Sequence, residues 1–335
     1  LAYAFSADGN GIYFGTDAGS EFNKLAFVAL SDDAEPEIIT DDIDWSVQGL
    51  TLNHARSAGV FATNEGGLTR MYRFDPADNS YREIETIPQG VIGGAEFSPD
   101  DTHLGIVVNN ARSPSDVHVM DWESGELTRW TFSEVGGLNP EGFVMPKLIE
   151  YPTFDKVGDE PRMIPAFVYR PDGPGPHPVI VSIHGGPEGQ ARPTFSSTYQ
   201  LWIDRLGAAV VVPNVRGSSG YGKSYLQLDN GFSREDSVRD IGALLDWIAE
   251  QPNLDEDRVA VYGGSYGGYM VLASSVHYSD RLQAAVDIVG ISNFVTFLEN
   301  TQDYRRDLRR PEYGDERDPE MRAHLQAISP LNNVE

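Results

Sequence analysis

The decapeptide VYGGSYGGYM, Val261–Met270, surrounds a single serine with four glycines. It overlaps the apolar run RVAVYG, which predicts a buried strand, and leads into YGGYMVLASSVHY, which predicts a helix. Residues 263–267 are therefore a G-x-S-x-G motif at a strand-to-helix turn, the context in which such a serine acts as a nucleophile. The helix N-terminus beneath Ser265 offers free N–H groups to a developing oxyanion. The alternative, a glycine-rich phosphate loop, lacks the Lys-Ser/Thr pair that such a loop uses.

Two more glycine-containing segments precede this turn. The strand-like run PVIVSIH ends in His184-Gly185-Gly186-Pro187, and in an α/β-hydrolase the loop after this strand supplies a second backbone oxyanion donor. One such donor contributes about 3 to 4 kcal/mol of transition-state stabilisation. The segment NVRGSSGYGKSY, Asn214–Tyr225, leaves two interpretations open. Its glycines shape a loop and Arg216 pairs with a carboxylate, or the loop contacts substrate directly.

From about residue 146 onward, short apolar runs alternate with helical patterns. PVIVSIH, AAVVVPN, RVAVYG and AAVDIVG are typical of strands that are buried on both faces of a parallel sheet. SVRDIGALLDWIAEQ predicts an amphipathic helix, and Ser233 and Asp236 have the spacing of a capping box at its start. We therefore predict an α/β-hydrolase domain over residues 146–335, with a mixed, mostly parallel sheet that is incomplete at its C-terminal end.

Residues 1–145 contain a repeat. KLAFVALSDDAEPEIIT begins at Lys24, RMYRFDPADNSYREIET at Arg70 and DVHVMDWESGELTRWTF at Asp116, each 46 residues after the one before. Each copy reads as a strand, an Asp-rich turn and another strand, with a further strand and turn upstream. Four strands in each unit of this length indicate blades of a β-propeller. We predict about three C-terminal blades; the alternative is a β-sandwich with accidental spacing.

These segments together resemble the prolyl oligopeptidase family of serine peptidases, specifically its acylaminoacyl-peptidase-like branch. IHGGPEGQ, PNVRGSSGYGKSY and GGSYGGYM carry the resemblance in that order, and YRRDLRRPEYGDERDP followed by ISPLNNVE strengthens it. The resemblance implies a peptidase for short peptides, whose propeller restricts access of large substrates. It favours an exopeptidase of the acylaminoacyl- or dipeptidyl-peptidase type over a proline-specific endopeptidase.

The same resemblance assigns roles to individual residues. It implies that Ser265 is the nucleophile and that the backbone N–H groups of Tyr266 and Gly186 form the oxyanion hole. Close relatives carry tyrosine where His184 stands, so this sequence points to the branch that relies on backbone donors. His184, Arg216 and Tyr221 are the candidates on the substrate side. We expect no cofactor and no metal site, because the seven histidines are scattered without ligand spacing.

A serine nucleophile needs a base that is itself oriented by an acid. In this fold the chain order is serine, acid, histidine, and the resemblance puts acid and histidine beyond Glu335. His277 is predicted to point away from Ser265, and His324 has no strand before it. A charged run covers residues 303–318. It is typical of a solvated face, or it binds a peptide terminus or contacts the propeller. Its candidate side chains are Asp303, Arg305, Arg306, Asp307, Arg309, Arg310, Asp315 and Asp318. We expect both ends of this sequence to lie inside a longer chain.

The composition limits the classes of partner that we expect for this protein. The 335 residues carry a net charge of −26 at pH 7, which repels phosphate backbones and argues against a nucleic-acid partner. The charge is explained by solubility or by adaptation to salt. No apolar run approaches the length of a membrane span, and the absence of cysteine excludes disulfides. The compartment stays open between cytoplasm and periplasm. Homo-oligomers are common among relatives of this kind, so an oligomer is one of the expectations.

Two other functions stay open at this stage. A carboxylesterase would use the same nucleophile elbow on esters, and the elbow alone does not separate the two activities. The other function is a non-catalytic interaction protein with the propeller as docking surface. This interpretation applies if residues 1–335 are considered alone, because they lack a triad acid and base. The intact Ser265 and its glycines argue against this last alternative.

Overall fold

The computed structural model describes residues 1–334 and divides the chain into two compact units. Unit 1 contains residues 1–145 together with two short later segments, 192–196 and 220–222. Unit 2 contains residues 146–191 and 197–219 and the chain from 223 onward. The domain boundary at 145/146 stays a prediction. That prediction assigned residues 192–196 and 220–222 to the second domain, whereas the structure groups them with unit 1.

Unit 1 consists of three four-stranded antiparallel sheets, one from each sequence repeat, in which each strand pairs with its neighbour in the chain. The first sheet contains β1 (Ala2–Phe5), β2 (Gly11–Thr16), β3 (Lys24–Ala29) and β4 (Glu37–Ile38). The second contains β5 (Ser46–Leu52), β6 (Gly59–Glu65), β7 (Leu68–Asp75) and β8 (Ser80–Glu83). The third contains β9 (Val91–Phe97), β10 (His103–Asn110), β11 (Ser113–Asp121) and β12 (Leu127–Arg129).

Successive sheets of unit 1 share apolar clusters. The first cluster joins Tyr13 and Leu25 of the first sheet to Phe61 of the second. The other joins Val60 of the second sheet to Leu104 of the third. Because adjacent residues of β6 point to opposite faces, the second sheet is buried on both sides. The first and second sheets, and the second and third, thus share apolar cores.

Unit 2 is built on a six-stranded sheet in the order β13-β14-β16-β15-β17-β18. Its strands are β13 (Lys147–Val157), β14 (Glu160–Tyr169), β15 (His177–Ile183), β16 (Ala209–Pro213), β17 (Leu254–Gly264) and β18 (Ala284–Ile288). The pairs among β13, β14 and β16 are antiparallel, and those among β16, β15, β17 and β18 are parallel. All five residues of β16 are buried, as the apolar run AAVVVPN predicts.

Strand β18 departs from the prediction of burial on both faces. All five of its residues are exposed, because within residues 1–334 it pairs only with β17 and lies at the edge of the sheet. The strand also ends before the predicted run does, since Val289 turns into the left-handed region with φ 51°.

Seven α-helices and four short 3-10 turns belong to the described chain. The helices are α1 (Ser197–Leu206), α2 (Lys223–Leu226), α3 (Asp236–Ala249), α4 (Tyr266–His277), α5 (Phe294–Asn300), α6 (Asp303–Tyr313) and α7 (Pro319–Ala327). The 3-10 turns are Pro140–Gly142, Gly231–Ser233, Ser279–Arg281 and Pro330–Asn332. The predicted apolar face of α3 is buried through Val238, Ile241, Leu244, Leu245 and Ile248.

The predicted capping box of α3 is wrong. Ser233 ends a 3-10 turn, and the residue before the helix is Glu235, which makes no side-chain cap. Between them Arg234 is fully buried against Asp229, so the chain enters the helix through an ion pair rather than a hydroxyl cap. Ser237 instead donates its hydroxyl to the carbonyl of Arg234, at 2.9 Å.

The parallel strands bring three loops to one edge of the sheet. Ile183, at the end of β15, pairs with Gly263 of β17, and Gly263 pairs with Asp287 of β18. The segments that follow these strands therefore start side by side. They are the His184–Pro187 loop, the serine turn and the segment after Ile288. Ligands of open α/β sheets bind at this carboxyl edge.

Candidate active site

Ser265 occupies the turn between β17 and α4. Its backbone has φ 57° and ψ −121°, a region that side-chain-bearing residues adopt only when the surrounding structure holds them there. Its N–H donates to the carbonyl of Ile288 at 2.9 Å. Ser265 is exposed, whereas Tyr266 and the glycine after it are buried. The strained turn thus presents one hydroxyl outward at the carboxyl edge of the sheet.

Three of the four surrounding glycines are required by close backbone contacts. A Cβ on Gly263 would lie within 3.0 Å of backbone atoms of Gly267, and a Cβ on Gly267 would lie as close to the carbonyl of Ile183. A Cβ on Gly268 would crowd Gly290 in the same way. On Gly264, however, the nearest atom would be 3.6 Å away, an ordinary contact. The glycines therefore pack α4 directly onto β15, β17 and the segment after β18.

The backbone N–H of Tyr266 has a defined direction. Tyr266 is the first residue of α4, so no carbonyl of its own helix accepts from its N–H. The carbonyl of Ser265 belongs to the same peptide group and accepts from the N–H of Tyr269 at 3.1 Å. Because the peptide group is planar and trans, its C=O and N–H point in opposite directions. The N–H of Tyr266 therefore points out of the N-terminal end of the helix, where the helix dipole favours negative charge.

The glycine loop after β15 lies against the serine turn. A Cβ on Gly185 would be 3.4 Å from the Cβ of Ser265 and 3.8 Å from the backbone nitrogen of Tyr266. Gly186 has φ 144°, which favours glycine. The carbonyl of Gly185 accepts a hydrogen bond from Nδ1 of His184 at 2.8 Å. By the same planarity, the N–H of Gly186 points to the side of the peptide group opposite the His184 ring.

His184 joins two loops. Its Nε2 lies 2.9 Å from the hydroxyl oxygen of Ser218, which lies 2.6 Å from the carbonyl oxygen of Val215. Burial lowers the pKa of His184, although the hydrogen bond to Gly185 opposes that change. These contacts are with the protein, so a substrate-side role for His184 stays a prediction.

Arg216 and Tyr221, the other substrate-side candidates, are each engaged elsewhere. Arg216 is only 2% exposed and forms ion pairs of 2.8 Å with Asp240 and Asp155. This matches the interpretation in which it pairs with carboxylates; contact with substrate would require those pairs to open. Tyr221 belongs to unit 1, where its ring lies edge-on to Trp45 with the centroids 6.2 Å apart.

Within residues 1–334, the hydroxyl of Ser265 has no hydrogen-bond partner among the described side chains. His277 is the last residue of α4, so it lies about 18 Å along the helix from Ser265, and its Nε2 contacts Glu235 at 2.9 Å. His177 begins β15, about 20 Å from the carboxyl edge. The ring of His324 packs against Phe232 at 5.0 Å. The described chain thus brings no base to the serine.

Two side chains of the charged run contact the glycine loop: Arg309, one of the candidates named from the sequence, and Tyr313, which the sequence did not single out. Tyr313 donates its hydroxyl to the carbonyl of Gly186 at 3.3 Å, and Arg309 approaches the same carbonyl at 3.4 Å. Arg306 and Arg310 pair with carboxylates of their own segment, Asp303 and Glu316 among them, and Arg309 pairs with Glu312 at 3.4 Å in addition to its contact with the loop. No pattern in the run separates Arg309 from the other arginines, because only packing decides which one faces the loop.

Residues 1–334 contain no group of three or more histidine, aspartate or glutamate side chains that could hold a metal ion. None of the helices in that part of the chain is both long and apolar enough to cross a membrane.

Comparison with known proteins gives a consistent result. Residues 193–335 match the sequence model of the prolyl oligopeptidase family. The chain is 34% identical to the Caenorhabditis elegans protein named dipeptidyl peptidase family member 6, over 99% of this chain and 48% of that protein. It is 28% identical to dipeptidyl aminopeptidase BIII of Pseudoxanthomonas mexicana, over 89% and 43%.

A solved prolyl endopeptidase structure superimposes on all of this chain with a TM-score of 0.83, at 20% identity, and the superposition covers 48% of that structure. The described chain therefore has the fold seen in this solved structure. The chain spans about half the length of the curated relatives it matches.

Proposed function

Because this chain belongs to the prolyl oligopeptidase family, we propose that it carries the nucleophile and the oxyanion hole of a serine peptidase that cleaves short peptides. The observation that carries the proposal is that Ser265 is strained and exposed and lies beside two backbone N–H groups of fixed direction. The carbonyls of Ser265 and Gly185, which belong to the same peptide groups as these N–H groups, each accept a hydrogen bond. In this proposal Ser265 is the nucleophile, and Tyr266 and Gly186 donate their N–H groups.

The chemistry follows acyl transfer. The hydroxyl oxygen of Ser265 attacks the scissile carbonyl while a base takes its proton, and the carbonyl oxygen becomes an oxyanion held by the two N–H groups. When the tetrahedral intermediate collapses, the C–N bond breaks, the amine leaves with the proton from the base, and an ester forms on Ser265. Water then hydrolyses this ester by the same steps and restores the hydroxyl.

In this proposal the base and its orienting acid lie outside residues 1–334. In the α/β-hydrolase order both follow the nucleophile, and the matched relatives are about twice as long as this chain. We therefore assign the base to a histidine in a later part of the natural protein.

For substrate class, we propose an exopeptidase of the dipeptidyl- or acylaminoacyl-peptidase type. Support comes from two relatives, which are named dipeptidyl aminopeptidase and dipeptidyl peptidase. Other relatives are named prolyl endopeptidase or prolyl oligopeptidase, so proline-specific endopeptidase activity is the competing assignment. In the proposal the three sheets of unit 1 are consecutive propeller blades, an assignment that their shared apolar clusters support. The propeller then limits the size of the substrate.

The first test uses the full natural protein and a fluorophosphonate probe that reacts with activated serines. We expect one adduct in the intact mass, hydrolysis of dipeptidyl and acyl-aminoacyl amides, and loss of both in Ser265→Ala. Ser275→Ala is the matched control, since Ser275 lies in α4, the helix that follows Ser265, and donates to the carbonyl of Val271 at 2.9 Å.

The outcomes separate the alternatives. Turnover of esters with no turnover of any amide would replace the peptidase by a carboxylesterase on the same scaffold. An unlabelled wild-type protein without turnover would leave a non-catalytic interaction protein. Cleavage only inside longer peptides, after proline, would overturn the exopeptidase assignment while keeping the nucleophile.

A further inference from the structure

The last turn of α6 contacts the glycine loop at three points. The hydroxyl of Tyr313 donates to the carbonyl of Gly186 at 3.3 Å, and Nη1 of Arg309 reaches the same oxygen at 3.4 Å. The N–H of Glu188 donates to the carboxylate of Glu312 at 3.4 Å. Both Tyr313 and Glu312 are buried, at 1% and 6% exposure. One helical turn therefore backs the loop that carries the Gly186 donor.

A single buried side chain joins this turn to the serine elbow. Arg234 is fully buried, forms an ion pair of 2.6 Å with Asp229, and donates to the backbone carbonyl of Glu312. Its Nη1 also lies 3.3 Å from the hydroxyl of Tyr266. The guanidinium is held between the rings of Tyr266 and Tyr313, whose centroids are 5.4 and 5.1 Å away. Arg234 thus contacts the helix behind one donor and the residue that carries the other.

Tyr266 is tied into the same cluster through its side chain. Its phenol lies 2.9 Å from the hydroxyl of Ser237 and 3.3 Å from the carboxylate of Asp229. The ring is only 1% exposed. The backbone N–H of Tyr266 faces the reaction while its side chain is anchored in the core, so movement of the cluster moves the N–H as well.

We propose that Arg234 and Tyr313 are positioning residues of the oxyanion hole, which set the separation of the Tyr266 and Gly186 N–H groups from behind. The inference rests on the proposed function, because it takes these two N–H groups as the oxyanion donors. Neither side chain touches the reacting atoms in this scheme. Their effect is carried by Glu312 and Gly186 on one side and by the phenol of Tyr266 on the other.

The physical need for such a brace comes from the glycine loop itself. Gly185, Gly186 and Gly189 lack side chains that could anchor the loop in a core, and glycine has the largest conformational freedom to lose. An oxyanion hole is effective only when its donors are already in place before the charge develops. His184 holds the peptide group on the N-terminal side of Gly186, and Tyr313 holds the carbonyl on its C-terminal side. The direction of the N–H between them is then fixed.

The test compares two tyrosine-to-phenylalanine variants of the full natural protein. Tyr313→Phe removes the hydroxyl that holds Gly186. Tyr151→Phe is the matched control, because Tyr151 is equally buried and donates to a backbone carbonyl, that of Asp240, at 3.2 Å. The readouts are kcat and KM for a dipeptidyl amide, the affinity of a peptide boronate that becomes tetrahedral on the serine, and the thermal unfolding temperature.

For Tyr313→Phe we expect kcat to fall about tenfold and boronate affinity to fall by a similar factor, since small misplacements of catalytic donors are costly. KM and the unfolding temperature should match those of Tyr151→Phe, whose kcat should equal that of the wild type. Arg309→Leu, which removes the second contact to Gly186 at a partly exposed position, should lower kcat in the same direction. Arg234→Lys should lower kcat and boronate affinity more than Tyr313→Phe does.

Three results would overturn the inference. If both phenylalanine variants and Arg309→Leu retain the wild-type kcat, the hydroxyl of Tyr313 and the guanidinium of Arg309 do not position the donor, while the proposed peptidase stands. If Tyr313→Phe raises KM at constant kcat, Tyr313 contacts substrate instead. If the wild type turns over neither amide nor ester, the proposed function fails, and the positioning role falls with it.

Discussion

One cause explains three features of Ser265. They are its strained backbone, its exposed hydroxyl and the burial of the segments on either side. The chain reverses from β17 into α4 within a single residue, and the glycines around it allow the two elements to touch. The four glycines of GGSYGG look equivalent in the sequence, yet the space around them differs. A Cβ on Gly263, Gly267 or Gly268 would overlap backbone atoms, whereas a Cβ on Gly264 would lie at ordinary contact distance from Ile288.

This difference predicts unequal effects of alanine. Gly267→Ala should destabilise unit 2 by about 3 kcal/mol or more, because its methyl group would overlap the carbonyl of Ile183, which cannot move without the strand. Gly264→Ala should change the free energy of unfolding by less than about 1 kcal/mol. Urea denaturation of both variants measures the contrast. Equal stabilities would show that the backbone contacts relax more easily than the geometry implies.

Burial also acts on the charge of individual residues beneath the elbow. Desolvation raises the pKa of Asp229 to about 6 despite the attraction of Arg234. A carboxyl whose pKa is raised on folding binds its proton more tightly in the folded state than in the unfolded state. Its contribution to stability is therefore fully present below about pH 4 and is lost as the pH rises to about 6.

Asp229→Asn removes this titration. The free energy of unfolding of the wild type, minus that of Asp229→Asn, should decrease as the pH is raised from 4 to 6.5, whatever the offset between the two proteins. Chemical denaturation at several pH values measures this difference. An increase over the same range would mean that the ion pair with Arg234 outweighs desolvation and lowers the pKa instead.

At the scale of elements, the 46-residue repeat of unit 1 places Lys24, Arg70 and Asp116 near the start of the third strand of their sheets. Each side chain reaches the far end of its own sheet. Lys24 donates to carbonyls after β4, Arg70 pairs with Glu83 at the end of β8, and Asp116 accepts from residues after β12. The position is shared, but its chemistry changes with the partner that each sheet offers.

Asp116 gives a prediction for this position. It is 1% exposed and accepts from the hydroxyl of Thr131 at 2.8 Å, the N–H of Ser133 at 2.9 Å and the guanidinium of Arg129 at 2.5 Å. Burial alone would raise its pKa, but these donors outweigh burial and lower it. We expect Asp116→Asn to destabilise unit 1 by about 1 to 3 kcal/mol at pH 7.

The pH dependence has the usual sign for a carboxyl with a lowered pKa. The stabilisation is present above the unfolded-state value and is lost as the pH falls through the lower folded-state value. The difference between wild type and Asp116→Asn in chemical denaturation should therefore shrink below about pH 4. Glu123→Gln in the neighbouring exposed turn is the control and should stay within about 0.5 kcal/mol of the wild type. A difference that does not change with pH would contradict the assignment.

At the largest scale, that of residues 1–335 taken together, the net charge of −26 is the dominant long-range feature. Like charges repel more strongly in the compact state than in the expanded one, and salt screens them over a Debye length of about 10 Å at 0.1 M. We expect the unfolding temperature at pH 7 to rise as KCl is increased to molar concentration. Near pH 4.5, the sequence pI, the rise should be much smaller. Equal responses at the two pH values would assign the effect to salt exclusion rather than to charge.

The elements of both units could be predicted in outline from local patterns. Alternation and turn spacing indicated the four strands of each repeat, and the apolar runs indicated β15, β16 and β17. The errors have physical reasons. AAVDIVG is apolar enough to be buried on both faces, but β18 lies at the edge of the described sheet. Ser233 had capping-box spacing, but burial of Arg234 against Asp229 decided how the chain enters α3.

The sequence by itself determined the local form of the candidate site, because a serine flanked by glycines at a strand-to-helix turn and a glycine pair after an apolar strand are local patterns with local causes. It also determined the repeat and the charge, which depend only on composition and order. Only the tertiary structure decided which residues stand behind the glycine loop after β15. Arg234, Glu312 and Tyr313 are up to 127 residues from Gly186 and have no spacing rule that links them to it. Such contacts arise from packing between distant segments, and the free energy of packing depends on neighbours that no local pattern contains.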